Sequence, residues 1–212
     1  MSYLLHIDSS SLGEASVSRQ VAESFLHGWT GKVVHRDLAA DPVPHLSAAG
    51  ITARDTDPAQ HTEQQAAASE LQDELIDEYL GASAYLFTVP MYNLTMPSVF
   101  KAWLDQIIVV GRTAKSSPAA GRSAVLISAR GGGYGPGAPN HGFDFVVPTL
   151  EAVLGREELL GLDVSTVIPE LTMADHVSAM AELKPLYETS LANAHHRARD
   201  LSVIIASDAM AA

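Results

Sequence analysis

Five serines, Ser9, Ser10, Ser11, Ser16 and Ser18, fall within ten residues directly after a short apolar run from Tyr3 to Ile7. Hydroxyls at that density, joined by the free amides of a helix start, can hydrogen-bond a phosphate dianion without a lysine. A single serine there reads more simply as a helix cap or loop solvation, so it is the cluster that points to an anion. A second candidate is the turn Met91-Tyr92-Asn93-Leu94, set between Pro90, which stops an apolar strand, and Pro97, which suits the first turn of a helix. A third is the run Ala129-Arg130-Gly131-Gly132-Gly133-Tyr134-Gly135, whose glycines let backbone approach a flat ligand closely.

These three stretches need elements to hold them. Tyr3 to Ile7, Lys32 to His35, Tyr85 to Val89, Ser123 to Ser128 and Val164 to Ile168 read as five short strands. Between them, Val21, Ala22, Phe25, Leu26 and Trp29 repeat on one helical face, and Leu71, Leu75, Ile76, Tyr79 and Leu80 on another. Val99, Phe100, Trp103, Leu104, Ile107 and Ile108 follow the Met91 turn at helical spacing. Phe143, Val146, Val147, Leu150, Val153 and Leu154 suggest a further helix, and Val177 to about Ile205 one or two closing ones. The stretch after Pro44 reads as long and polar, and Glu70, Asp73, Glu74, Asp77 and Glu78 as a solvated helix face. Strands alternating with helices give an α/β protein with a doubly wound parallel sheet, for which a flavodoxin-like order 2-1-3-4-5 fits. In that order the serine loop and the Met91 turn meet at the carboxyl ends of the first and third strands, where such sheets bind ligands.

Composition narrows the partners. A chain of 212 residues with 47% hydrophobic residues and no linker-like tract reads as one domain over 1–212. A net charge of -12, from 25 acidic and 13 basic residues, argues against nucleic acid or an anionic membrane as partner. The absence of cysteine removes disulfides, thiolate nucleophiles and iron–sulfur clusters. With no signal-peptide pattern at the start and no apolar run approaching about 18 residues, a soluble cytoplasmic protein is expected.

Several chemistries are disfavoured by missing motifs. There is no Gly-x-x-x-x-Gly-Lys, and Gly133 to Ala138 matches Gly-x-Gly-x-x-Ala only formally, because Pro136 and Pro139 interrupt the helix start a dinucleotide site needs. Nine histidines show no metal-ligand spacing, and His195-His196 reads as exposed helix, so no metal is expected. The serines lack a Gly-x-Ser-x-Gly elbow.

Taken together, the serine loop ending Ser16-Val17-Ser18, Pro90-Met91-Tyr92-Asn93, Lys101-Ala102-Trp103-Leu104-Asp105 and Ala129-Arg130-Gly131-Gly132 carry a resemblance, supported by Arg36 to Pro42 and Pro169 to Ala174. In this order they resemble the FMN-dependent NADH azoreductase and quinone oxidoreductase family, a flavodoxin-like group. The resemblance implies that Ser10, Ser16, Val17 and Ser18 hold the FMN phosphate, that Met91, Tyr92, Asn93 and Leu94 border the isoalloxazine ring, and that Ala129, Arg130, Gly131 and Gly132 line its pyrimidine edge. It implies hydride passing from NADH or NADPH through the flavin to an electron-poor small-molecule aromatic acceptor, a quinone or azo compound, in a homodimer. Amides at the pyrimidine edge suit the charge that develops there on reduction. Tyr134 is a candidate at the same edge and equally a turn aromatic packed on glycines.

Two departures from the family bear on the acceptor. The segment Gly111 to Ala120 is short and lacks the family's aromatic residues, and Leu154-Gly155-Arg156 stands where Leu-Gly-Phe is common. Arg112, Lys115 or Arg156 could then attract an anionic acceptor, although ordinary solvated charges explain them more simply. The alternatives to the reductase are a flavin-dependent reductase or isomerase of one biosynthetic intermediate, and a flavin-binding protein of low turnover that docks a partner.

Overall fold

Five parallel strands form one sheet in the order β2-β1-β3-β4-β5, as the alternation of patterns predicts. The computed structural model describes residues 3–211. The strands are β1 (Leu4–Asp8), β2 (Val33–Asp37), β3 (Ala84–Thr88), β4 (Ser123–Ile127) and β5 (Asp163–Val167). The helices are α1 (Val17–Leu26), α2 (Ala48–Ala53), α3 (Glu63–Gly81), α4 (Ser98–Ile107), α5 (Val147–Gly155) and α6 (Lys184–Ala211). β1 and β3 are buried along their whole length because helices cover both faces of the sheet. Apolar residues therefore dominate both strands rather than alternating with exposed polar ones, the buried His6 and Asp8 of β1 being hydrogen-bonded exceptions.

Successive side chains of a strand serve opposite faces. Leu4, Leu86, Val125 and Ile127 pack with Phe25 of α1 and Leu201 and Ile205 of α6. Leu5, Ile7, Tyr85, Phe87 and Leu126 pack instead with α3, α4 and α5 through Ile76, Trp103 and Leu150. Each large apolar side chain fully buried in this way contributes about 1.5–3 kcal/mol. The tightest part lies behind the Met91 turn: Phe100 meets Phe87 edge-on at 5.9 Å, and Trp103 lies 5.5 Å from Phe100. These contacts fix the start of α4 and hence the turn before it.

Several boundaries differ from the pattern reading for identifiable reasons. Pro97 stands just outside α4 as its cap residue, and its carbonyl accepts from the amides of Phe100 and Lys101 at 3.0 and 3.2 Å. Phe143 is exposed and outside α5, because Asp144 ends the preceding loop by accepting from the amides of Val146 and Val147 at 2.9 and 3.1 Å. The long polar stretch after Pro44, in which the pattern marks no element, contains α2, capped by Ser47 Oγ on the amide of Gly50 at 3.1 Å, and a 3-10 turn at Pro58–Gln60. A six-residue helix of Ala, Gly, Ile and Thr shows too little apolar periodicity to be seen in sequence. Gly50 lets α2 dock closely on α3: a Cβ there would lie 3.0 Å from Gln72 Nε2, which donates to the Gly50 carbonyl at 3.3 Å, and Gln72 would have to give. The acidic face of α3 is more than solvated, since Glu74 and Glu78 grip Arg36 at 3.0 and 2.8 Å.

Candidate flavin site

The serine loop is built by the end of β1. Asp8 accepts the amide of Ser10 at 3.0 Å and pairs with Arg19 Nε at 2.9 Å, while Arg19 also donates to the Ser10 carbonyl and to Asp37, each at 2.8 Å. Ser9 is buried and donates from its hydroxyl to the Thr88 carbonyl, joining the loop to β3. Ser16 caps α1 by accepting the amide of Arg19 at 3.3 Å, and its hydroxyl lies 3.4 Å from that of Ser18. The first amides of α1 and the hydroxyls of Ser10, Ser16 and Ser18 thereby converge on a cavity of about 260 Å³. No Lys or Arg side chain lines it among the described residues, so an anion there is held by dipoles and hydroxyls.

The Met91 turn forms the next wall. Tyr92 and Thr95 exchange backbone hydrogen bonds at 2.8 and 3.1 Å, leaving Asn93 and Leu94 as the two central residues of a tight hairpin at φ 51 and 69°. Asparagine tolerates the left-handed region, whereas leucine there costs roughly 1–2 kcal/mol, strain of the kind found at binding sites. The Leu94 carbonyl is held by the amide of Phe145 at 3.1 Å.

The glycine run closes the site from β4. The carbonyls of Arg130, Gly131 and Gly132 accept from the amides of Thr172, Met173 and Leu171 at 3.0, 3.2 and 3.2 Å. In planar trans peptides this turns the amides of Gly131, Gly132 and Gly133 away from the 171–173 segment. A Cβ at Gly131 would meet Met173 Sδ at 2.9 Å, so any other residue there would push the Met173 side chain aside. Glu170 Oε1 accepts the amide of Tyr134 at 2.7 Å.

Beside the small cavity lies one of about 840 Å³, the two sharing Met91, Gly131 and Met173 as wall. Ser10, Ser16, Val17, Ser18, Tyr92 and Ala129 line the first; Asn93, Leu94, Gly132 and Tyr134 line the second. Arg130 lines neither. Its side chain is fully buried behind the loop, donating to both Asp144 oxygens at 2.9–3.2 Å and to Ser128 Oγ at 2.7 Å, because a guanidinium removed from water needs a matched carboxylate. The resemblance assigns Ala129 to Gly132 to the ligand edge through their backbone amides; the Arg130 side chain, which carries no expectation of its own, is a strut that holds the loop.

The segment after β5 also reaches the site without having been assigned a role from sequence. Thr172, Met173 and His176 line the small cavity, and Glu170, Leu171, Met180, Leu183 and Leu186 the large one. The run Pro169 to Ala174 carried a signal through family likeness alone, and nothing local marks Leu183 or Leu186. Arg112 instead meets Asp73 at 2.5 Å, and Arg156 meets Glu158 at 3.4 Å. Neither they nor Lys115 line either cavity.

One cluster has metal-ligand character: one candidate ligand atom from each of His6, Asp8 and His35 lies within 4.8 Å of the others. Two of its three groups, His6 and Asp8, already have polar partners. His6 Nε2 is 2.8 Å from Thr88 Oγ1, and Asp8 holds Arg19 and the Ser10 amide, so a cation would have to displace a guanidinium. Burial, reinforced by His35 and Arg19, lowers the His6 pKa to about 3, and burial raises that of Asp8. The cluster is a hydrogen-bonded base for the serine loop.

Comparison with known proteins agrees with this fold. Residues 2–184 match a family model described as a flavodoxin-like fold. The chain is 47% identical to an FMN-dependent NADH:quinone oxidoreductase of Streptomyces coelicolor over 93% of this chain and 92% of the relative. It is 48% identical to the protein of the same name in Streptomyces avermitilis, over 93% and 94%. The crystal structure of an azoreductase from Bacillus anthracis shares the fold, with a TM-score of 0.80 at 23% identity over 96% of this chain and 99% of that one. Matched along nearly its whole length by such relatives, the chain belongs to the FMN-dependent NADH:quinone oxidoreductase family, within the flavodoxin-like fold.

Proposed function

We propose that this protein is an FMN-dependent oxidoreductase that takes hydride from NADH or NADPH and reduces a quinone or azo acceptor, working as one domain over 1–212. The observation that carries this reading is the adjacency of the two cavities, which share Met91, Gly131 and Met173: a hydroxyl- and amide-lined one suited to a phosphate lies beside a wide, mostly apolar one suited to a flat ring. FMN, when bound, supplies the two-electron chemistry, accepting hydride from the nicotinamide and delivering it to the acceptor. Ser10, Ser16, Ser18 and the first amides of α1 hold its phosphate. Met91, Tyr92, Asn93 and Leu94 border the ring, and the glycine run offers its edge backbone dipoles that stabilise negative charge. Tyr134, Met180, Leu183 and Leu186 wall the space above and exclude water. Since one cavity serves donor and acceptor, the two bind in turn, and ping-pong kinetics follow.

A homodimer is part of this reading. Leu94, Phe143, Phe145 and Leu186 expose between 39% and 60% of their surface near the cavity, an apolar rim suited to a second copy. Sedimentation of the purified protein tests it, a monomer at micromolar concentration being the contrary result. A cytoplasmic setting is supported by the lack of cysteine and by the finding that no described helix is long and apolar enough to cross a membrane.

The deciding experiment is an absorbance titration of the protein with FMN, followed anaerobically by NADH and then NADPH. A bound flavin spectrum that bleaches rapidly with one donor and recovers with a quinone is expected. Failure to bind FMN removes the reading, and binding without bleaching leaves a flavin-binding protein without turnover.

A further inference from the structure

The large cavity has one charged side chain among its lining residues, the carboxylate of Glu170. The rest of its lining is uncharged: Asn93, Tyr134 and Asn140 have polar side chains, and most of the others are apolar or glycine, including Met91, Leu94, Pro136 and Met180. Glu170 is held at both ends: its own amide donates to Ser190 Oγ of α6 at 3.0 Å, and Oε1 takes the amide of Tyr134 at 2.7 Å. The buried cation behind the glycine loop, Arg130, is matched by both oxygens of Asp144. Arg112 and Arg156 are engaged elsewhere by Asp73 and Glu158. A fixed negative charge in an apolar recess acts through a lower dielectric than water and is felt strongly by whatever enters.

Resting on the oxidoreductase reading above, we propose that Glu170 makes this cavity select by charge, admitting neutral or cationic aromatic acceptors and discriminating against anionic ones such as sulfonated dyes and quinones. Arg112, Lys115 and Arg156, the cations that could have drawn an anionic acceptor, do not line this cavity, in keeping with the simpler reading of them as solvated charges. The nicotinamide donor is consistent with it: the ring that enters is uncharged and becomes cationic as it yields hydride, so only its remote diphosphate is anionic.

Glu170 also braces the Tyr134 amide, and the test separates that duty from its charge. With FMN-loaded protein, the dissociation constants of anthraquinone-2-sulfonate and of neutral 2-(hydroxymethyl)anthraquinone are measured from the perturbation of the flavin spectrum. Glu170→Gln keeps a carbonyl acceptor for the Tyr134 amide and removes the charge. The sulfonate is expected to bind about five-fold more tightly than to wild type, with the neutral ligand unchanged. Asp77→Asn, on the exposed face of α3, changes net charge equally and should alter neither. An unchanged ratio in Glu170→Gln, or an equal change in Asp77→Asn, overturns the proposal while leaving FMN binding and the oxidoreductase reading intact. Wild type that does not bind FMN removes both. Should Glu170→Gln not fold, wild type decides: preference for the neutral ligand that persists in about 0.5 M NaCl belongs to a charge inside the cavity, and preference that vanishes belongs to the surface field and overturns the assignment.

Discussion

The phenol oxygen of Tyr92 accepts a hydrogen bond from the amide of Ser11 at 3.0 Å, tying the turn after β3 to the serine loop after β1 across 81 residues of sequence. It joins the two ends of the proposed flavin site where no ligand is needed to hold them. Tyr92→Phe removes the acceptor and little else. FMN affinity should fall by roughly three- to ten-fold, the worth of one such bond of about 0.5–1.5 kcal/mol, with unchanged circular dichroism. Titration of flavin fluorescence reads it, and an unaltered affinity would show that the loop is ordered without this contact.

Asp144 carries two duties at once, pairing with buried Arg130 and capping the first amides of α5. Asp144→Ala leaves a fully buried guanidinium uncompensated, and a loss of about 3–5 kcal/mol in urea unfolding is expected. Asp144→Asn retains an acceptor for the cap and for one guanidinium nitrogen, so its loss should be clearly smaller.

His6 makes stability depend on pH in a definite direction. The unfolded imidazole takes a proton near 6.5, while the folded one, buried and beside His35 and Arg19, resists it down to about 3. Between these values the unfolded state binds more protons, so stability falls as pH falls, by up to about 1.4 kcal/mol per pH unit from this group. Asp8, whose folded pKa is raised, opposes the trend at the acid end. Replacing His6 by Asn should flatten the dependence of the urea midpoint between pH 6.5 and 4, and an equally steep profile in the variant would assign the slope to other groups.

Leu94 sits at φ 69° and lines the large cavity, so stability and binding should separate there. Leu94→Asn relieves the left-handed strain, and a gain of up to about 1 kcal/mol in thermal unfolding is expected. The same change removes apolar wall, so a neutral quinone should bind several-fold more weakly.

What could be read from sequence follows the range of the forces involved. Runs such as Tyr85 to Val89 announce buried strands by themselves, and their alternation with helical stripes fixes the winding of the sheet. The serine loop, the Met91 turn and the glycine run are equally local, since each depends on residues within about ten positions. The bracing role of the Arg130 side chain has no local signal, because it depends on Asp144, 14 residues further on, and an arginine beside glycines looks the same whether it faces ligand or core. Glu170, Met180 and Leu186 join the site only through the path of the chain after β5, which no local pattern encodes. α2 was too short to show a period.

The hydrogen bonds from Leu171, Thr172 and Met173 to the glycine run amount to a miniature ladder outside the sheet. Such a ladder opens and closes as a unit, and its opening free energy is a property of the empty protein. The solvent-exchange rates of those three amides therefore gauge how far the flavin edge is assembled before any cofactor arrives. Protection there in apoprotein means a site formed in advance; rapid exchange that slows on loading means that the cofactor itself completes the wall.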